Sequence, residues 1–80
     1  MREKAILFFQ NTTIRQQYLY NTAQAAQRMG FTPLLIQGVK TESPPPEIFK
    51  EITGTEKWDF DTLQRLFQSF AERYSLAALI

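Results

Sequence analysis

The chain has 80 residues, enough for one small domain, with 44% hydrophobic and 21% charged residues, so we expect a globular fold. It contains no cysteine and no histidine, which excludes disulfides, thiolate chemistry and histidine-based catalysis or metal binding. The net charge of +1 argues against binding to nucleic acid or to a membrane through bulk electrostatics.

The first predicted element is a β-strand over AILFF, Ala5 to Phe9, an apolar run without alternation. Such runs are typical of strands that are covered on both faces of a parallel sheet. The run is too short for a signal peptide or a membrane span, so we expect a cytoplasmic protein. The segment QNTT follows and offers Asn and Thr side chains that cap helices.

The spacing of apolar residues then predicts a helix from Ile14 to Met29. Gly30 marks its end, because glycine readily takes the left-handed conformation that closes a helix, and Phe31 then folds back on the last turn. The predicted apolar face consists of Ile14, Tyr18, Ala25 and Met29 with Thr22 between them, flanked by Leu19, Ala23 and Ala26.

A second strand is predicted over TPLLIQG, Thr32 to Gly38, with Pro33 near its start, where a missing N–H does least harm. The following VKTESPPPE reads as a stiff, extended connector. We prefer this interpretation to a ligand for an aromatic groove, because a single PPP lacks a PxxP repeat. Glu47 to Thr55 is ambiguous between a helical turn and a short edge strand; we favour the strand, with Gly54 in the turn that follows.

A second helix is predicted after EKWDFDT, with Asp59 or Asp61 as its N-cap. Neither carboxylate has a partner at the spacing of a metal site, so we assign them to capping. The segment SLAALI, Ser75 to Ile80, is another uninterrupted apolar run and predicts a buried strand. A broad apolar stripe, typical of a helix packed on a core, is formed by Leu63, Leu66, Phe67, Phe70 and Tyr74.

The order strand, helix, strand, possible strand, helix, strand predicts parallel strands joined by right-handed crossovers. We therefore expect an α/β fold: a small three-layer, Rossmann-like half, with a parallel sheet of three or four strands in the order 3-2-1-4 and two main helices. Ligands on such sheets bind beyond the carboxyl ends of the strands, where the strand order reverses. That crevice lies between the first and fourth strands.

The candidate binding residues follow the first strand at this edge. A helix N-terminus with threonine hydroxyls suits a carboxylate or a phosphate, although ordinary capping explains the same residues. The turn has none of the glycines of a dinucleotide or P-loop motif, so neither nucleotide site is expected here. No catalytic residue and no metal ligand stand out in the chain. The candidate substrate-binding residues are Gln10, Asn11, Thr12 and Thr13.

Three stretches, KAILFF, NTAQAAQRMGFTPLLI and EKWDFDTLQRLFQSFAERYSLAALI, together resemble the N-terminal (pre-ATP-grasp) domain of ATP-grasp ligases. The nearest groups are the carboxylate–amine ligases and the biotin-carboxylase-like enzymes. The resemblance implies a full enzyme that uses ATP and magnesium to activate a carboxylate as an acyl phosphate, which an amine then attacks. This sequence departs from the family pattern in the first turn, where many relatives have glycines and this chain has Gln10 to Thr13.

The family's nucleotide clamp and magnesium ligands lie in regions that these 80 residues do not contain. We therefore expect an excised N-terminal piece of a longer ligase, without cofactor or activity of its own, whose partners are the remaining ATP-grasp domains. The alternative is a stand-alone α/β binding or adaptor module that forms a homodimer through its open sheet edge. A third is the front half of another nucleotide- or sugar-nucleotide-binding enzyme. A downstream reading frame of roughly 200 to 300 residues favours the first.

Overall fold

A computed structural model describes residues 2–11, 16–38 and 48–80. They form a four-stranded parallel sheet in the order β3-β2-β1-β4, with a helix packed on each face. The predicted α/β class, strand order and pair of helices are confirmed. The elements in chain order are β1 (Glu3–Gln10), α1 (Gln16–Arg28), β2 (Thr32–Gly38), β3 (Glu51–Thr55), α2 (Phe60–Arg73) and β4 (Tyr74–Leu79).

Strand β1 lies in the middle of the fold, as its apolar run predicts. It pairs in parallel with β2 along one edge and with β4 along the other. Its successive side chains alternate between two cores: Phe8 packs on the α1 side, whereas Ala5 and Leu7 pack on the α2 side. All three are fully buried. This strand therefore contributes to both hydrophobic layers at once.

Helix α1 packs on the sheet through a different face from the predicted one. Tyr18 and Met29 are 68% and 74% exposed, so the predicted stripe is wrong for these residues. Ile14, its first member, lies outside the described residues. The small side chains of Ala23 and Ala26 lie on the buried face and pack against the sheet. The buried residues of α1 are Tyr20, Ala23 and Ala26.

The end of α1 is as predicted. Gly30 has a φ of 91°, in the left-handed region. Its N–H donates to the Gln27 carbonyl at 3.0 Å, and the Phe31 N–H donates to the Ala26 carbonyl at 2.9 Å. This pair of bonds defines a Schellman motif, which satisfies carbonyls at the end of the helix. Phe31 then packs against the core on the α1 side.

The ambiguous segment before α2 is a strand. Strand β3 pairs in parallel with β2, and Gly54 lies within it opposite Gln37. The prediction that Gly54 occupies a turn is therefore wrong, because pairing with β2 continues to Thr55. Glu47 and the triproline segment lie outside the described residues.

Helix α2 begins and packs as predicted. Asp59 is its N-cap, with Oδ1 accepting a hydrogen bond from the Thr62 N–H at 2.8 Å. Tyr74 is buried with the apolar stripe but is the first residue of β4, because the helix ends at Arg73. The stripe residues that share the core cluster on the α2 side are Leu63, Leu66, Phe67, Phe70 and Tyr74.

Strand β4 is an edge of the sheet, as the predicted order 3-2-1-4 requires, but the prediction that its apolar run is buried is wrong. Leu79 and Ile80 are 53% and 51% exposed. Pairing with β1 shifts by one residue at Ala77, since Ala5 pairs with Leu76 but Ile6 pairs with Ala78. This bulge places Leu76 and Leu79 on the same side, the side of α2.

The left-handed cap predicts a stability effect at Gly30. Replacing it with alanine should lower the free energy of unfolding by about 1 kcal/mol, because an L side chain is strained at a positive φ. No atom lies within 4 Å of the added Cβ, so the cost comes from the backbone alone. Gly30→Asn is the matched control and should cost less, since asparagine tolerates this conformation. Urea unfolding measures both, and equal losses would contradict the assignment.

Candidate functional site

The amino ends of the strands are held together by charged side chains. Glu51, at the start of β3, accepts hydrogen bonds from Arg73 Nη1 at 2.6 and 2.7 Å and from the Tyr74 hydroxyl. Lys50 Nζ lies 2.8 Å from Glu3 Oε1. Since β3 and β4 are opposite edges of the sheet, the Glu51 contacts link the two edges beneath the central strands. We call Glu51, Arg73 and Tyr74 the amino-edge cluster and assign it to stability.

The carboxyl ends of the central strands carry a pair of buried amides. Gln10 and Gln37 are the last paired residues of β1 and β2, lie opposite each other, and are only 6% and 8% exposed. Strand alternation places both on the α1 side. Within the described part of the chain, Gln10 Nε2, Gln10 Oε1 and Gln37 Oε1 have no hydrogen-bond partner. Each such buried polar group costs about 1–3 kcal/mol, so a polar partner would stabilise this edge.

Asn11 extends the same edge to the surface. It is exposed, and its side chain lies against Gly38 at the end of β2. A Cβ at Gly38 would approach Asn11 Cγ to 3.4 Å and overlap its amide oxygen, so glycine leaves the space that the amide occupies. The structure thus brings together two of the four candidate residues, Gln10 and Asn11. Thr12 and Thr13 lie outside the described residues.

An apolar groove of about 430 Å³ opens on the other side of the sheet. It lies between the end of β1, the end of β4 and the first turns of α2, which is where the strand order reverses. The rings of Phe9 and Trp58 meet edge to face there, with centroids 6.4 Å apart. Phe60, at its rim, is 76% exposed. The groove is lined by Phe9, Trp58, Phe60, Leu63, Gln64, Phe67 and Leu79.

The predicted crevice between β1 and β4 is therefore present but apolar, and Gln10 does not line it. Gln10 faces α1 because it follows Ile6 and Phe8 in the alternation of β1. The sequence predicts Gln37 to be part of β2 and contains no local signal that it lies opposite Gln10. The groove is likewise not predicted, and its one local signal is the pair of aromatic residues in WDF, Trp58 and Phe60, ahead of α2.

The site's chemistry is hydrogen bonding and apolar packing. Among residues 2–11, 16–38 and 48–80, no group of three or more acidic side chains is placed to hold a metal ion. Neither α1 nor α2 is long and apolar enough to cross a membrane. Two neutral amides, an exposed asparagine and an adjacent apolar groove suit the binding of a polar group beside a packing surface.

The chain matches no family model, and no curated protein and no solved structure shows significant similarity to it.

The amino-edge cluster predicts a dependence of stability on pH. The Arg73 guanidinium, and then the Tyr74 hydroxyl, hold the pKa of Glu51 below its ordinary value of 4.5. A carboxyl whose pKa is lower in the folded state stabilises the fold fully above its unfolded pKa. That contribution is lost as the pH falls below 4.5 and through the folded pKa.

Replacing Glu51 with glutamine should therefore reduce stability at pH 7 and flatten the loss of stability below pH 4.5. Glu56→Gln removes an exposed carboxylate outside the cluster and serves as the control. Urea unfolding between pH 7 and pH 3 gives the two profiles. Superimposable profiles for the two variants would show that the cluster does not stabilise the fold.

The buried amide of Gln10 predicts a gain in stability on replacement by methionine, which has a similar shape and no polar amide. In the isolated chain, Gln10→Met should raise the free energy of unfolding by about 1 kcal/mol, because an unpaired polar group is removed. Gln68→Met, on the exposed side of α2, should change it by less than about 0.5 kcal/mol. A loss of stability at Gln10 would mean that its amide is paired in solution.

Proposed function

We propose that this chain is the N-terminal domain of an ATP-dependent ligase of the ATP-grasp class, acting in the cytoplasm and not catalytic alone. Its role is to form one wall of the substrate cleft and a packing surface for the remaining domains. The observation that carries the proposal is the buried pair Gln10 and Gln37 at the carboxyl edge of the sheet, where Gln10 Nε2, Gln10 Oε1 and Gln37 Oε1 have no hydrogen-bond partner among the described residues. The fold and the resemblance of its strand and helix segments to pre-ATP-grasp domains support it.

The reaction proceeds in two steps. A carboxylate oxygen of the substrate attacks the γ-phosphorus of ATP, ADP leaves, and an acyl phosphate forms. An amine then attacks the acyl carbon, inorganic phosphate leaves, and the amine loses a proton. ATP and magnesium are held by the other domains of the polypeptide, so the described residues perform neither step.

The contribution of this chain is to orient a polar group of the substrate. The Nε2 of Gln10 donates to a carboxylate or carbonyl oxygen, and Asn11 offers a second amide at the exposed end of the same edge. A hydrogen bond to a charged group contributes about 1.5–3 kcal/mol. The loss of one such bond should weaken substrate binding by about tenfold or more.

The test uses the intact natural polypeptide that begins with these residues. Hydroxylamine replaces the amine and traps the acyl phosphate as a hydroxamate, so carboxylates can be screened without knowledge of the natural nucleophile. Asn11→Ala should raise the KM for the carboxylate about tenfold, with a smaller change in kcat, because a bond to the bound substrate is removed. Gln68→Ala, on the exposed surface of α2, is the control and should leave both constants unchanged.

Two results would contradict the proposal. One is an intact polypeptide that forms no hydroxamate from ATP with any carboxylate of a broad panel. The other is micromolar binding of MgATP by the isolated 80-residue chain in calorimetry, because that would place the nucleotide site within these residues.

A further inference from the structure

The two edges of the sheet differ in chemistry. On β3, Glu51 is paired with Arg73, and the side chains alternate between exposed and half-buried. On β4, no residue from Ser75 to Leu79 is charged and none is proline. Edge strands usually carry a charge or a proline that discourages further pairing, whereas uncharged apolar strands are typical of the interior of parallel sheets. Strand β4 thus has the position of an edge and the composition of an interior strand.

The apolar groove lies directly beside this edge. Leu79 belongs to β4 and also lines the groove, so the two features are continuous. None of the residues that line the groove is charged. Phe60 and Leu79, both more than half exposed, leave apolar surface open to water. We call the outer edge of β4 together with the groove the β4 surface.

The handedness of parallel crossovers predicts on which face a helix leading to a strand beyond β4 would lie. Helix α2 joins β3 to β4 and lies on one face, whereas α1 joins β1 to β2 on the other. Right-handed connections place helices on opposite faces when the chain moves in opposite directions across the sheet. A further parallel strand beyond β4 continues in the direction of the β3-to-β4 step. Its crossover helix therefore lies on the α2 face, where the groove is open.

We propose that the β4 surface is covered by one helix–strand unit: an amphipathic helix that packs in the groove and a fifth strand that pairs in parallel with β4. The unit is supplied by the segment that follows Ile80 in the natural polypeptide. This inference rests on the part of the proposed function that makes the chain the start of a longer polypeptide, and it does not depend on the ligase reaction.

A second copy of the chain fits the β4 surface less well. Two identical β4 strands related by a two-fold axis pair antiparallel, so the carboxyl end of one meets the amino end of the other. Exposed Glu72 and Arg73 of the second copy would then lie beside the apolar end of β4. A parallel strand aligns its carboxyl end with the carboxyl end of β4, so the residues that precede it do not lie beside the groove. The homodimer is the outcome that the test must distinguish.

The test adds the downstream segment back as a separate peptide of about 40 residues, the length of one helix, one strand and their connections. Trp58 is the single tryptophan of the chain and lines the groove, so its fluorescence reports occupancy. The Ile80 N–H bonds to Leu7 at 2.9 Å, and alternation therefore directs the Leu79 N–H away from β1. Binding should shift the Trp58 emission to the blue and slow exchange of the Leu79 amide at least tenfold.

A matched pair of variants locates the interaction. Phe60→Lys, at the rim of the groove, should weaken peptide binding at least tenfold, because it places a charge on the apolar surface. Ile52→Lys, on the β3 edge, should leave binding within about twofold. The urea midpoint of each variant shows that it is folded.

If the peptide does not fold alone, the exchange rate of the Leu79 amide is measured in the intact polypeptide instead. The proposal is overturned by a stop codon directly after Ile80, by a Leu79 amide that exchanges freely in the intact polypeptide, or by equal weakening in both variants. It is also overturned if protection appears in the isolated chain and rises with its concentration, since that indicates a second copy. Failure of the hydroxamate assay with slow Leu79 exchange would reject the ligase and leave this inference standing.

Discussion

Strand β1 is hydrogen-bonded along both edges and covered on both faces, and the positions of the other elements follow from this arrangement. Because Phe8 and Leu7 point to opposite sides and both are fully buried, each face needs its own helix. The same alternation divides the carboxyl end of the strand. Gln10 faces the polar edge beside β2, while Phe9 faces the apolar groove beside β4, so one strand end serves two different surfaces.

The amino and carboxyl ends of the strands differ in how their polar side chains are hydrogen-bonded. At the amino end, Glu51 joins opposite edges through Arg73 and Tyr74, and its hydrogen bonds are satisfied. At the carboxyl end, both polar atoms of the Gln10 amide and the Oε1 of Gln37 are buried without partners in the described part of the chain. Parallel α/β sheets bind ligands at their carboxyl ends, so the costly polar groups lie where a ligand can offset them. The residues that stabilise the sheet and the candidate binding residues therefore lie at opposite ends of the strands.

The sequence predicts the element order and the strand order because apolar runs, a glycine stop and an aspartate cap are local signals. It does not predict which face of α1 is buried, since Tyr18 and Tyr20 both fit helical patterns and only the packing of the helix on the sheet shows that Tyr20 is the buried one. The runs in β1 and β4 look alike, yet one is central and the other an edge. Composition indicates whether the two faces of a strand can be buried. Which strands pair with it depends on the topology of the whole sheet. Gln10 and Gln37 lie opposite each other because of the register between β1 and β2, and no local sequence pattern specifies that register.

The bulge at Ala77 sets the phase of the last strand. Without the bulge, strict alternation after Leu76 would turn Leu79 away from α2 and bring Ile80 toward it. Deletion of Ala77 would remove the bulge and leave Leu76, Ala78 and Leu79 opposite Ala5, Ile6 and Leu7, so the same side chains would still face α2. The one-residue bulge, and not the composition of the strand, therefore determines that Leu79 rather than Ile80 lines the groove.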